Sequence, residues 1–282
     1  MKKFWLIPMA AAVIAVCGGC GSDKPETVIL CPYANAVAAL HDVNLALVQK
    51  FCEYDTEMNY VSYRLAREGL TGVDSQRLAD SLQRIDGRVR LAGILDLSGK
   101  RLYNSPTDYF QASGEAPVIR DAPAAMRRIK SGEKFLSGTY LNKRNELVAD
   151  YICPVKNRDD LVSGAVYIQI AVTELCRHFV TRSIADMPVN IWVMQTDGLI
   201  VYDTDPLEIN QNILTGNYFL EYPTLIQLAG KIASSENGTG QYSYMSKGNK
   251  TILIKSAQWN SFTAGGRQWR IVMNIEDRSF IR

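Results

Sequence analysis

Asp96-Leu97-Ser98-Gly99-Lys100-Arg101-Leu102-Tyr103-Asn104 and Gln195-Thr196-Asp197-Gly198-Leu199-Ile200-Val201-Tyr202-Asp203 are two copies of one pattern. Each passes from an apolar segment through a Ser-Gly or Asp-Gly turn into a strand ending in Tyr, which is how a β-hairpin is written in sequence. The correspondence continues downstream. Gly138-Thr139-Tyr140 matches Gly240-Gln241-Tyr242, each opening a strand that pairs through a polar turn, 142–146 or 246–250, with another. Both units close on an apolar strand, at 162–172 and 269–275, and both have a helical connection in between, containing residues 123–130 or 222–234. Each unit is thus two strands, a helical connection and three antiparallel strands, so the recurrence predicts two α+β modules of one architecture.

Ahead of the repeat, residues 35–67 carry Leu40, Val43, Leu47, Phe51, Tyr54, Met58, Val61 and Leu65 in steps of three or four. That period is one face of a long helix. At 1.5 Å per residue it reaches roughly 50 Å, enough to run past two small modules. The opposite face, with Asp42, Asn44, Lys50, Glu53, Asp55, Glu57, Arg64 and Arg67, is expected to meet water or a partner. A coiled coil would show charge pairing on both flanks of the stripe, which is lacking here. The helix should end near Gly69 and Gly72, and Asp74 or Ser75 should cap a second helix running to about Arg84.

At the start of the chain a short basic segment precedes an apolar run, residues 4–16, too short to span a bilayer and of the length of a secretory signal core. Val16-Cys17-Gly18-Gly19-Cys20 resembles the lipobox of bacterial lipoproteins, although Cys17 stands where Leu is usual. The resemblance implies cleavage before Cys20 and its acylation, hence a chain held outside the cytoplasm, on the cell membrane or facing the periplasm on the outer membrane. Residues 21–28 are a polar linker. Without Lys2 and Lys3 the chain holds 29 basic and 29 acidic residues, which gives no electrostatic footprint for nucleic acid. Cys31, Cys52, Cys153 and Cys176 are an even set in an oxidising compartment, open to three disulfide pairings. With only two His in the chain no metal site is expected, and no cofactor. No phosphate loop, nucleophile elbow or HExxH motif supports an enzyme.

The repeated order, preceded by a long helix and an export signal, resembles the double Cache family of extracellular sensors, built from PAS-like five-stranded sheets. The resemblance covers roughly residues 35–275. It implies a division into a signal peptide (1–19), a linker (20–33), the helices (34–87), a membrane-distal module (88–187) and a membrane-proximal module (188–282). It also implies a long helix packed along both sheets and a ligand held in the first module, between sheet and connecting segment.

The closing strand of the first unit lets that site be argued from the residues. Val162, Val166, Ile168, Ile170 and Val172 share one face and should meet the helix; Ser163, Ala165, Tyr167, Gln169 and Ala171 share the other. Two polar side chains among small ones suit a small polar pocket. Tyr140 is a neighbouring candidate, and so are Asp150 and Tyr151, which point to opposite faces of their strand; Asp150 is the one taken into the expected site with Arg120, Tyr140, Tyr167 and Gln169. Family members that bind amino acids carry an Arg, a Trp-Tyr pair, a strand Tyr and a last-strand Asp. By resemblance Arg120 falls on the Arg, Tyr140 on the Tyr and Gln169 near the Asp, whereas Ala124-Ala125 replace the aromatic pair. Arg120 can clamp a carboxylate. A neutral Gln169 cannot offset an ammonium group, so a carboxylate or other small polar molecule is expected rather than an α-amino acid. In the second unit, Asp203 and Asp205 around Thr204 suit a polar turn better than calcium, and Trp259 and Trp269 should fill the core. The chain ends soon after its last strand without a second apolar span, so it is expected to present its state to a membrane-embedded signalling partner. The alternative is an adaptor lipoprotein without a ligand.

Overall fold

The computed structural model describes residues 32–106, 122–184, 187–245 and 252–276. Its first element is α1, Pro32–Glu68. Every residue of the predicted stripe, from Leu40 to Leu65, is buried. The polar face is less uniform than expected. Asn44 donates to the Ser261 carbonyl at 3.0 Å, Lys50 meets Asp86 at 3.1 Å, and Asp55 pairs with Lys134 at 2.9 Å and accepts the Tyr151 hydroxyl proton. A helix lying in a groove has polar flanks that reach the groove walls, and these residues sit on them. The Asp86 carboxyl is held well below the usual range: burial opposes this, but Arg88 at 2.5 Å and Lys50 overcome it.

After α2 (Val73–Gln83) come β1 (Val89–Asp96), β2 (Arg101–Ser105), α3 (Ala122–Lys130), β3 (Phe135–Leu136), β4 (Tyr140–Leu141), β5 (Leu147–Lys156) and β6 (Val162–Ala171). The first sheet has the order β2-β1-β6-β5-β3, with β4 also paired to β5. α4 (Val172–Ile184) then leads to β7 (Val189–Gln195), β8 (Ile200–Tyr202), a 3-10 turn Asn217–Phe219, α5 (Pro223–Ser234), β9 (Gly238–Met245), β10 (Ile252–Ala264) and β11 (Arg267–Glu276). The second sheet has the order β8-β7-β11-β10-β9. Both sheets place the closing strand beside the first, as a repeated unit requires.

Three local expectations are corrected. The first sheet has six strands, not five, because its third strand is broken into β3 and β4. At the break the Ser137 hydroxyl, not a carbonyl, accepts the Asp150 N–H at 2.9 Å, a side chain competing with the ladder. The closing strand stops at Ala171, and an unforeseen α4 buries Val172, Leu175, Cys176 and Val180, spaced three to four apart. The second helix begins at Val73 behind Gly72, and the Ser75 hydroxyl instead reaches back to the Gly69 carbonyl at 3.1 Å.

One core runs along α1. It takes Val166, Ile168 and Ile170 from the first sheet and Ile191, Trp269 and Ile271 from the second. Of the predicted inward face of 162–172, Val166, Ile168, Ile170 and Val172 do pack in the core along the helix, whereas Val162 packs instead against the outer cluster with Ala165 and Tyr167. Phe51 sits at the join, 4% exposed, its ring 5.9 Å from Tyr151, 5.8 Å from Phe262 and 6.4 Å from Trp269. Trp259 is also buried, on the other side of its sheet. The sheets are tied together where the β10–β11 turn meets β3. Leu136 N donates to Gly265 O at 3.1 Å, Arg267 Nε donates to Leu136 O at 3.2 Å, and Gln195 Nε2 donates to Thr139 Oγ1. Gly265 has φ +52°, and a Cβ there would lie 2.5 Å from Leu136 N, so the turn needs glycine.

Cys52, Cys153 and Cys176 are free thiols; burial pushes Cys153 up to about 11 and Cys176 up to about 12. Cys20, Cys31 and the signal segment lie outside the described residues. Among the described residues no helix is long and apolar enough to cross a membrane.

Candidate ligand site

The outer face of the first sheet, away from α1, is floored by Leu91, Leu95, Ile152 and Ala165 and covered by Ala125, Met126 and Ile129 of α3. Alternation along β6 brings Tyr167 and Gln169 to this face, as predicted. Register decides between the two β5 candidates. Asp150 stands opposite Gln169 and joins the site, whereas Tyr151 stands opposite Ile168 on the inner face.

Tyr140, Asp150 and Gln169 form one hydrogen-bonded group. The Tyr140 hydroxyl donates to the Asp150 carboxylate, 2.9 and 2.8 Å from its two oxygens. Gln169 Nε2 donates to the Tyr140 oxygen at 2.9 Å and lies 3.4 Å from Asp150 Oδ1. Asp150 is 1% and Gln169 3% exposed. The carboxylate fixes which way the amide faces, since a carbonyl turned toward Asp150 would be repelled. Gln169 Oε1 is consequently left buried, with no hydrogen-bond partner among the described residues. Burial, and then the charge of Asp150, push the Tyr140 phenol well above its ordinary value, so it stays a neutral donor.

Arg101 and Asn104 complete the cluster, and neither was expected. The Arg101 guanidinium lies over the Tyr167 ring, 5.1 Å from its centroid, and the Tyr167 hydroxyl donates to Asn104 Oδ1 at 2.5 Å. Strict alternation would put residues three apart on opposite faces. A bulge between Ile94 and Leu95 skips Leu102, so Asn104 pairs with Gly93, Arg101 with Leu95, and both turn to the outer face. Burial lowers the Arg101 pKa, opposed by Tyr167, Asp150 and Tyr140, and from so high a starting value the group stays charged. The Tyr167 ring rests on Gly93, where a Cβ would lie 2.6 Å from the ring and 2.3 Å from the Tyr103 carbonyl. A guanidinium and a carboxylate thus border one site that also holds amide, phenol and apolar surfaces. Arg120 lies outside the described residues.

In the second unit Asp203 and Asp205 make the expected polar turn: Asp205 N donates to Asp203 Oδ1 at 2.8 Å, and Leu207 N to Asp205 Oδ1 at 3.0 Å. Among the described residues no group of three His, Cys, Asp or Glu could hold a metal ion.

No protein-family model and no curated protein matches the chain. Solved structures do. An extracellular ligand-binding receptor from Desulfohalobium retbaense superposes with a TM-score of 0.66 at 19% identity over 86% of this chain; the match spans 39% of that receptor. The ligand-binding domain of the Pseudomonas aeruginosa amino-acid chemoreceptor PctB, in complex with L-Arg, gives 0.59 at 14% identity over 89% of this chain and 96% of its own. The periplasmic sensory domain of a Campylobacter jejuni chemoreceptor gives 0.55 at 11% identity over 88% and 95%. At these identities the likeness establishes the fold, and it is the long-helix, two-sheet architecture expected from the repeat.

Proposed function

We propose that this chain, with the fold of extracellular sensor domains, is a sensory module that binds a small polar molecule between the outer face of the first sheet and α3. Arg101, Asn104, Tyr140, Asp150, Tyr167 and Gln169 are its contacts, and Arg120, outside the described residues, is assigned to it as a further one by the family resemblance. The observation that carries this reading is Gln169 Oε1, an acceptor shut away from water with no donor among the described residues. Leaving such a group unsatisfied costs about 1–3 kcal/mol, and a ligand N–H or O–H would remove that cost.

The expectation about ligand charge changes. Gln169 is neutral, but Asp150 stands directly opposite it. A ligand ammonium can therefore be offset, while Arg101 and Arg120 supply cations for a carboxylate. Opposite charges around one small site suit a zwitterion, and the solved PctB domains are in complex with L-Arg and L-Gln. An amino acid or a close analogue is the ligand class we assign.

The chain is held at the membrane through acylated Cys20, and its modules divide at residues 88–187 and 188–282. A membrane partner reads the state of the site. The route runs from Asp150 through the Ser137 hydroxyl bonded to its N–H, to Leu136, which is bonded to the β10–β11 turn.

Thermal denaturation of the full chain against single L-amino acids, small amines and small carboxylates tests the reading. At a hundred times Kd a ligand adds about 2.7 kcal/mol, which raises Tm by roughly 5–10 °C at this size. At least one compound should do so, and Asp150→Asn should abolish the shift. No shift from any compound at millimolar concentration would favour the ligand-free adaptor.

A further inference from the structure

The internal repeat extends from the fold to the polar residues themselves. Across the first sheet Tyr140 stands opposite Val148, which stands opposite Ala171. Across the second, Tyr242 stands opposite Lys255, which stands opposite Glu276. Two residues further along, Leu91, Gln169 and Asp150 form a row in the first sheet, and Asn190, Asn274 and Ala257 form the same row in the second. Gln169 and Asn274 are therefore equivalent, and each makes the same bond: Asn274 Nδ2 donates to the Tyr242 hydroxyl at 2.9 Å. Each also has the same defect. Asn274 is 7% exposed, and its Oδ1 is buried with no hydrogen-bond partner among the described residues.

This amide borders an open cavity of about 210 Å³, lined by Pro188, Asn190, Lys255, Asn274 and Glu276. Its charged lining is one carboxylate, Glu276, and one ammonium, Lys255. Besides burial, the influences holding the Tyr242 phenol above its ordinary value are Asp203, Glu208, Tyr244 and Glu276. The opposing cation, Lys255, is drawn over the Tyr244 ring, 4.5 Å from its centroid. A buried acceptor, with the Glu276 carboxylate in the same lining, calls for a ligand that is cationic and rich in N–H.

We infer that the second sheet carries a ligand site of its own, for a small protonated amine, between Asn190, Asn274 and Glu276. The ammonium donates to Asn274 Oδ1 and to the Glu276 carboxylate, and the site is independent of the one on the first sheet.

Ligand-observed saturation-transfer NMR on the full chain in detergent, with ethanolamine, putrescine and acetate as probes, tests this. One of the two amines should bind and acetate should not. Glu276→Gln, a change at an exposed position, should weaken amine binding roughly tenfold or more. Asn274→Asp, which keeps the shape and adds a charge, should strengthen it. Asp150→Asn on the first sheet should leave it unchanged. Binding of acetate alone, or of neither amine up to tens of millimolar, would overturn the inference. So would amine binding that Asp150→Asn abolishes and Glu276→Gln does not touch.

Discussion

Replacing Phe51 with Ala probes the packing that makes two sheets one body. The ring is 4% exposed and touches Tyr151 of the first sheet and Phe262 and Trp269 of the second, as well as Tyr54 on its own helix at 6.0 Å. Truncating a buried Phe costs about 3–5 kcal/mol through lost transfer energy and the cavity left behind. The edge-on contacts with three of these rings place the loss toward the upper end, since aromatic pairs add about 0.5–1.5 kcal/mol beyond area. For a chain of this size that corresponds to a Tm lower by roughly 6–20 °C. Urea unfolding followed by tryptophan fluorescence gives the free energy, and calorimetry shows whether both sheets melt together. A loss below ~1 kcal/mol, or a mutant in which only one sheet is destabilised, would refute the argument that α1 joins both sheets through this ring.

Cys20→Ala should leave the chain unacylated; unchanged detergent partitioning and an unchanged N-terminal peptide mass would contradict that. Gly93→Ala should destabilise by about 1–3 kcal/mol, because the new methyl meets the Tyr103 carbonyl and the Tyr167 ring, and stability indistinguishable from the parent chain would show that strand β1 can shift away. Burial, partly offset by bonds from Asp205 and Thr204, pushes the Asp203 carboxyl from 3.8 up to about 6, so the folded chain holds this proton to higher pH than the unfolded one. Its contribution is greatest below pH 4 and is lost as pH rises through about 6. Asp203→Asn should therefore gain on the parent between pH 4 and 6, ending more stable by on the order of 2 kcal/mol at pH 8; a difference constant from pH 4 to pH 8 would contradict it.

The fold was legible because its signals are periodic. The α1 stripe, the two hairpin turns and the alternation of 162–172 each have a fixed spacing that burial enforces, and the duplicated order multiplied their weight. α4 was missed although Val172, Leu175, Cys176 and Val180 carry a helical period, because the apolar run of β6 continues into it without a break. The site was only partly legible. Tyr167 and Gln169 follow from alternation and Tyr140 from the family resemblance, but separating Asp150 from Tyr151 required register, and register is a property of two strands. Arg101 and Asn104 were hidden by the bulge opposite Leu95, which sequence does not mark. Asn274 was overlooked because its role shows only when the rows of the two sheets are laid over each other.

The most direct measurement is calorimetry with a compound whose thermal shift Asp150→Asn abolishes, titrated into the parent chain and three variants. Arg120→Ala should weaken binding by ~1.5–3 kcal/mol, roughly ten- to a hundredfold, through loss of a charge-assisted pair. Gln169→Ala should cost less, ~0.5–1.5 kcal/mol, and Asp203→Asn in the second sheet should cost nothing. If Asp203→Asn loses the ligand while Arg120→Ala and Gln169→Ala keep it, the first sheet is not the sensory site and the account is wrong.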